Sequence, residues 1–528
     1  MTILNTKHSA KLSYLLAEKK QHYLVGGLKG IEKESLRISK DGLISPVTHP
    51  SKLGAALTHP YITTDYSEAL LEFITPPFAE TSETLGFMQQ IHQYVYDHLD
   101  DEMLLSTSMP CGINGDESIP VAEYGSSNIG KMKHAYRLGL WHRYGRTMQA
   151  IAGIHFNYSV PETLWPVLHE QSNSNSSLED FISKSYFEMI RNFQRQGWLI
   201  LYLFGASPAI CKSFFKTRPH LMTQFDEFDS HTLYHPYATS LRMSNIGYKS
   251  KNQADLQIDY NSLTGYVDSL NTAIETPYPD YEKIGVKVDG QYKQLNANIL
   301  QIENEFYSTI RPKQIAESCE KPTLALKRRG IKYIEIRSLD LDIFNPIGID
   351  ENQARFVEAF LLNCLLQDSP EYTGKEQHIN NQNQLTVAHS GRKPGLKINK
   401  EGQQISLKTW TNDILNSIQT VCEILDEGLA SKPYSHALKQ QKAMVENPDL
   451  TPSAKILQGM KKTHQPFGCY GLTVSKQHQQ HFKQHKLDDL MTQKFDQEAS
   501  ASHQKQKQIE VNDSVSFDTF LANYFSQK

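Results

Sequence analysis

The chain lacks most of what would place it on a membrane, on nucleic acid or in an oxidising compartment. Its six cysteines (Cys111, Cys211, Cys319, Cys364, Cys422 and Cys469) are scattered over 528 residues with no CxxC pair. That usage argues against a structural zinc site and a dense disulfide framework, and fits reduced thiols. No stretch approaches the ~20 apolar residues of a membrane span. The opening MTILNTKHSAKLSYLL lacks the apolar run and cleavage site of a signal peptide. A net charge of −4 offers nothing to a nucleic acid or an anionic membrane. No GxGxxG opens a helix, so a Rossmann nucleotide site has no support. GSSNIGKM, residues 125–132, nearly spells the phosphate-cradling GxxxxGK[ST] but ends in Met132, without the hydroxyl that would hold Mg²⁺. The expectation is a soluble, cytoplasmic protein with neither nucleic acid nor membrane as partner.

What is present is an ordinary globular balance, 39% hydrophobic and 21% charged, in a chain long enough for a large catalytic domain. Helices and strands mix without the regular alternation of a doubly wound parallel sheet, so the expected class is α+β, an antiparallel sheet backed by helices. Helical patterns fall at 10–20, 80–100 and 181–204 and dominate from about 350. Strand patterns fall at 31–38, 62–74, 151–160, 300–308 and 332–340. Beyond 470 the chain turns rich in Gln, His and Lys. His478, His481 and His485 there read as a solvated helix face.

The five strand patterns share one oddity. In GLKGIEKESLRI (27–38) successive side chains point to opposite faces, so Glu32 and Glu34 point the same way. The other four likewise offer Asp65 and Glu72, His155, Glu303 and Glu305, and Glu335 with Arg337 where a core sheet would carry valine. Taken singly, Glu-x-Glu reads as the wet face of a half-exposed strand. Recurring five times, it points to a lined cavity whose carboxylates need cations. Oxygen ligands favour Mg²⁺ or Mn²⁺ over zinc. Arg337 adds the positive charge that a phosphate requires.

These stretches, together with AEYGSSNIGK (122–131), AGIHFNYS (152–159), PYATSLRMSNIGY (236–248), NANILQIENEFYSTIRPK (296–313) and IKYIEIRSLD (331–340), resemble the proteobacterial glutamate–cysteine ligase family, in family order up to about residue 460. The resemblance implies a glutamine synthetase-like curved antiparallel sheet forming a funnel surrounded by helices. Residues 1–460 would form the catalytic domain and 461–528 a polar, helical extension packing on it or trailing it, with no room for a second ligase domain. The implied reaction joins L-cysteine to the γ-carboxylate of L-glutamate with ATP, through γ-glutamyl phosphate. Glu32, Glu34, Asp65, Glu72 and Glu335 are implied as Mg²⁺ ligands, with Mn²⁺ as substitute, and Arg337 and His155 as catalytic residues. Tyr136, Leu140, Gln149, Tyr248 and Tyr307 are implied around the cysteine, with Arg242 partnering a substrate carboxylate. Glutathione is implied as feedback inhibitor and the monomer as the working form. A related ligase using another amine, a divalent-metal hydrolase, and strands that merely face solvent are the rival readings.

Overall fold

The computed structural model describes residues 9–246, 253 and 256–527. Seven strands form the main sheet among the described residues: β1 (Leu28–Ser39), β2 (Ile62–Thr64), β3 (Leu70–Ile74), β4 (Glu102–Leu104), β5 (Ile154–Ser159), β6 (Ile310–Lys313) and β7 (Tyr333–Leu339). The order is β6-β7-β5-β1-β3-β2, every pair antiparallel, with β4 on the far end of β1. The helices that matter below are α1 (Thr81–His98), α2 (Asn128–Tyr144), α3 (Leu178–Gln196), α4 (Trp198–Phe204), α5 (Glu351–Leu366), α6 (Pro433–Glu446), α7 (Phe467–Gln484), α8 (Asp489–Asn512) and α9 (Phe517–Phe525). None of the described helices is long and apolar enough to cross a membrane.

Three sequence expectations need correction. The pattern at 62–74 is a hairpin, β2 and β3, because the intervening turn closes on itself: Asp65 N–H donates to Leu70 O and Leu70 N–H to Ser67 O. The pattern at 300–308 is not a strand. Glu303–Glu305 forms a single 3₁₀ turn, since Glu305 binds the Gln301 N–H at 2.7 Å and Arg143 at 2.9 Å, contacts that a pleated segment would pull apart. The strand begins later, at Ile310. The helical pattern at 181–204 breaks at Gly197 into α3 and α4, where a Cβ would sit 2.7 Å from Phe193 O.

The sheet's two faces differ in kind. On one, Ile31, Leu71, Phe73, Phe156, Tyr158, Ile334 and Ile336 are buried in the main apolar core. The lysines of β1 that share this face each have an internal partner. Lys33 Nζ meets His92 Nε2 at 2.6 Å, and burial pushes its ammonium down to about 7. Lys29 forms a fork with Glu358 of α5 at 2.9 and 3.0 Å, both side chains no more than 3% exposed. Tyr434 of α6 completes the group by donating to Glu358 at 2.7 Å. His478 is half-buried rather than solvated and held down to about 4, chiefly by burial and then by Lys33.

A buried cation stripped of its partner is costly, so Glu358→Ala should lower stability by about 3–5 kcal/mol in denaturant unfolding. Lys29→Met combined with Glu358→Leu should recover much of that loss. A single variant as stable as the parent would show that the pair does not hold α5 to the sheet.

Candidate active site

The other face of the sheet carries the charges. Register places Glu34 opposite Glu72, Glu32 opposite His155, and Glu335 between Asn157 and Arg311. Pleating turns Glu32, Glu34, Glu72, His155, Arg311 and Glu335 into one cavity of about 1100 Å³. α2 forms another of its walls through Lys133, Tyr136, Arg137 and Leu140, one helical face at i, i+3/i+4 spacing.

Three groups converge at the centre. Ligand atoms of Glu32, His155 and Glu335 all lie within 4.8 Å of one another. His155 Nδ1 is 3.1 Å from Glu32 Oε2 and 3.5 Å from Glu335 Oε1, and its Nε2 is 3.6 Å from Glu34 Oε1. Asn157 donates to Glu32 Oε1 at 3.0 Å. Arg337 Nη1 approaches Glu335 Oε1 at 3.1 Å and Lys313 Nζ approaches it at 3.7 Å. Glu335 Oε2 is buried without a hydrogen-bond donor, an orphaned acceptor in a ring of carboxylates. Such an oxygen fits a hard divalent cation.

Electrostatics sorts these acids into two kinds. Burial works against ionisation of Glu335, but Lys313, Arg337 and His155 outweigh it and hold its carboxyl well below the usual range. Glu32 is likewise lowered against its burial, by the hydrogen bond from His155. Glu72 is pushed well above the usual range by burial and then by Glu32, Asp65 and Glu34. Glu34 is raised by burial, eased by His155. One subset is thus charged and compensated, and the other waits for a counter-charge.

Backbone contacts fix the ligand positions. Gly153 N–H donates to Glu34 Oε2 at 2.6 Å. A Cβ on Gly153 would lie 2.0 Å from Arg242 Nη2, so glycine is required where the guanidinium passes. The carbonyl of Asp65 accepts from Tyr124 (2.8 Å) and from Arg137, and its side chain lines the cavity.

The cavity gathers Glu32, Glu34, Asp65, Glu72, His155, Glu335 and Arg337, together with Tyr136, Leu140, Gln149 and Tyr307. Arg242 is not on its surface. It lies beneath, 1% exposed, bonded to Arg337 O at 3.0 Å and 3.7 Å from Asp340. Tyr248 falls outside the described residues. Glu303 turns away from the cavity to Thr323. Sequence reasoning missed Arg311 and Lys313, although period-2 reading of IRPK puts both on the face of Glu335. It also missed Lys133 and Arg137, because GSSNIGKM was weighed as a phosphate loop and set aside, and the helix after it was passed over.

Carboxylates and cations facing one another in one cavity on an antiparallel sheet make a charged pocket suited to an enzyme that handles a polyanion together with divalent cations. Comparison with known proteins makes the assignment specific. Residues 12–387 match the family profile described as glutamate-cysteine ligase. The chain is 47% identical over 516 residues to the glutamate–cysteine ligase of Pseudomonas paraeruginosa, spanning 98% of this chain and 97% of that one. It is 48% identical over 508 residues to that of Alcanivorax borkumensis, 95% and 96% of the two chains. The crystal structure of the Francisella tularensis glutamate–cysteine ligase in complex with AMP superposes with a TM-score of 0.89 at 38% identity, covering 95% of this chain and 98% of that one. The chain belongs to the glutamate–cysteine ligase family, ATP-dependent ligases of the first step of glutathione synthesis. The match to the Pseudomonas enzyme leaves too few residues over to omit the stretch beyond 460, which therefore has counterparts in relatives.

A pH dependence follows from the raised carboxyls. Folded Glu72 keeps a proton that the unfolded chain, near 4.5, has lost. Its contribution to stability is therefore present below about 4.5 and lost as pH rises through the raised value. A cation bound among these carboxylates would displace that proton. The thermal stabilisation on adding Mg²⁺ alone should be larger at mildly alkaline than at mildly acidic pH. A gain independent of pH would contradict the placement of the cation among these carboxylates.

Proposed function

We propose that the main sheet is the floor of a glutamine synthetase-like funnel and that the ligation runs through an acyl phosphate in it. The γ-carboxylate of L-glutamate attacks the γ-phosphate of ATP, and ADP leaves. The amine of L-cysteine then displaces phosphate from γ-glutamyl phosphate to give γ-glutamylcysteine. The observation that carries this reading is the Glu32–His155–Glu335 constellation, with its orphaned carboxylate oxygen beside Arg337.

In this reading Glu32, Glu34, Asp65, Glu72 and Glu335 hold Mg²⁺, or Mn²⁺ in its place, and glutathione as a product analogue inhibits by occupying both amino-acid positions. Bound there, the cation neutralises phosphate charge that the carboxylates would otherwise repel. Arg337 stabilises the charge on the transferring phosphoryl group, which demands positioning and neutralisation more than covalent chemistry. Glu335 orients that guanidinium at 3.1 Å. His155, held by Glu32, orients the reacting phosphate or carboxylate. Tyr136, Leu140, Gln149 and Tyr307, which line the cavity, enclose the cysteine and keep water from the acyl phosphate. Arg242, from beneath, contributes positive charge to Glu34 and Tyr307 rather than contact with substrate. Residues 1–460 carry this chemistry as one catalytic domain.

The test is phosphate release with Mg²⁺ and ATP, glutamate and cysteine being added singly and together. Release should require both amino acids and match γ-glutamylcysteine formed. Arg337→Ala should lower kcat by about 10³-fold with smaller changes in amino-acid KM. An Arg337→Ala protein with parental kcat would refute the role assigned to the guanidinium.

A further inference from the structure

The C-terminal stretch does not trail the catalytic domain; it is built into the rim of the cavity. α8 runs to the N-terminus of α2. There Glu510 accepts the Ser126 N–H at 2.8 Å, Asp513 accepts the Asn128 N–H at 2.5 Å, and Val515 O accepts from the Asn128 side chain at 3.0 Å. Unpaired N–H groups at a helix start attract anions. In GSSNIGKM the chain's own carboxylates take that place. Gly125, at φ +79°, admits the approach, since a Cβ there would lie 2.2 Å from Gln506 and 2.3 Å from Glu510.

α9 then crosses between two segments of the cavity wall. On one side Leu521 and Tyr524, 6% and 7% exposed, form a small apolar cluster with Met132, Ala135 and Leu295. Tyr136 packs against that cluster from its cavity-facing helix. On the other side Lys321 Nζ donates to Phe525 O at 3.0 Å and Gln527 O at 3.2 Å, and Gln527 donates back to Cys319 O at 2.8 Å. Cys319 and Tyr524 both line the cavity. Helix α9 thus ties the α2 wall to the 319–322 wall and backs the tyrosine between them.

We propose that α9 is a specificity element of the active site: Leu521 and Tyr524 are positioning residues that hold Tyr136 and so shape the pocket for the acceptor amine. The proposal rests on the reading above that Tyr136 borders the cysteine. A pocket walled by a fixed aromatic discriminates by shape, and a loosened wall loses acceptor affinity before it loses phosphoryl chemistry. Among the described residues, the sheet carboxylates assigned to the cation find their hydrogen bonds and ion pairs on the sheet and not on α9, so a change in α9 should leave the ATP half of the reaction in place.

The experiment uses the full chain with Tyr524→Ala, Tyr524→Phe and Leu521→Ala, each checked for folding by thermal unfolding. KM is measured for cysteine, glutamate and ATP separately, with turnover of the longer L-homocysteine relative to cysteine. Tyr524→Ala should raise the cysteine KM about tenfold, with kcat and the ATP KM little changed, and should favour L-homocysteine relative to the parent. Leu521→Ala should act in the same direction. Tyr524→Phe, which keeps the ring, should recover most of the loss. Uniform loss of kcat together with all three KM values, in step with lowered stability, would overturn the proposal in favour of a purely structural role. A parent that forms γ-glutamylcysteine beside a Tyr524→Ala protein with unchanged cysteine KM overturns the α9 proposal alone. A parent that forms no γ-glutamylcysteine overturns the underlying reading as well.

Discussion

Mutual repulsion among carboxylates on one face of β1 and its neighbours is the constraint that organises this molecule. Glu34 stands opposite Glu72 in register, with Glu32 two residues along and Glu335 two strands away. Removing such groups from water is expensive unless each finds a hydrogen bond or opposite charge. The surroundings supply these in part. Gly153 donates to Glu34, His155 and Asn157 serve Glu32, and Arg337 and Lys313 serve Glu335. Glu72, raised by burial and its acidic neighbours, and the orphaned oxygen of Glu335 are the ones that the proposed cation would serve. The sheet's other face is mainly apolar; its two lysines, Lys29 and Lys33, are both internally partnered, and Ser35 and Thr64 are small buried polar residues on it.

Glycine and arginine placement follow from the same constraint. Arg242 sits under the acidic face only because Gly153 has no side chain in its path. Its positive charge works from below, whereas Arg337 works from within the cavity. The Arg242 guanidinium donates to the backbone carbonyl of Arg337, so the layer beneath the site holds the strand segment that carries the residue assigned to phosphoryl stabilisation.

Much of the sheet was legible because period-2 alternation is a local signal. β5 and β7 fall inside the expected stretches and β1 overruns the expected 31–38 at both ends, and Glu32, Glu34, His155, Glu335 and Arg337 line one cavity. What was hidden depended mostly on non-local partners, the hairpin at 62–74 excepted. Nothing in QIENEFYST announces that Arg143 and Gln301 will curl Glu305 into a turn. The alternation across 62–74 concealed a hairpin whose closing bonds lie within the segment. Arg242 reads like any arginine near a motif until the glycine above it is seen. The tail was the largest gap: its Gln, His and Lys content reads as solvent-facing, yet a few residues, Glu510, Asp513, Leu521 and Tyr524, attach it to α2 at positions that no local pattern marks.

The most direct test of the central claim is to locate Mn²⁺ by anomalous scattering in crystals grown with a non-hydrolysable ATP analogue. The account predicts manganese on the acidic sheet face, ligated by oxygens drawn from Glu32, Glu34, Asp65, Glu72 and Glu335, with Glu335 Oε2 among them. Manganese bound elsewhere, with these carboxylates paired only to protein groups, would contradict it.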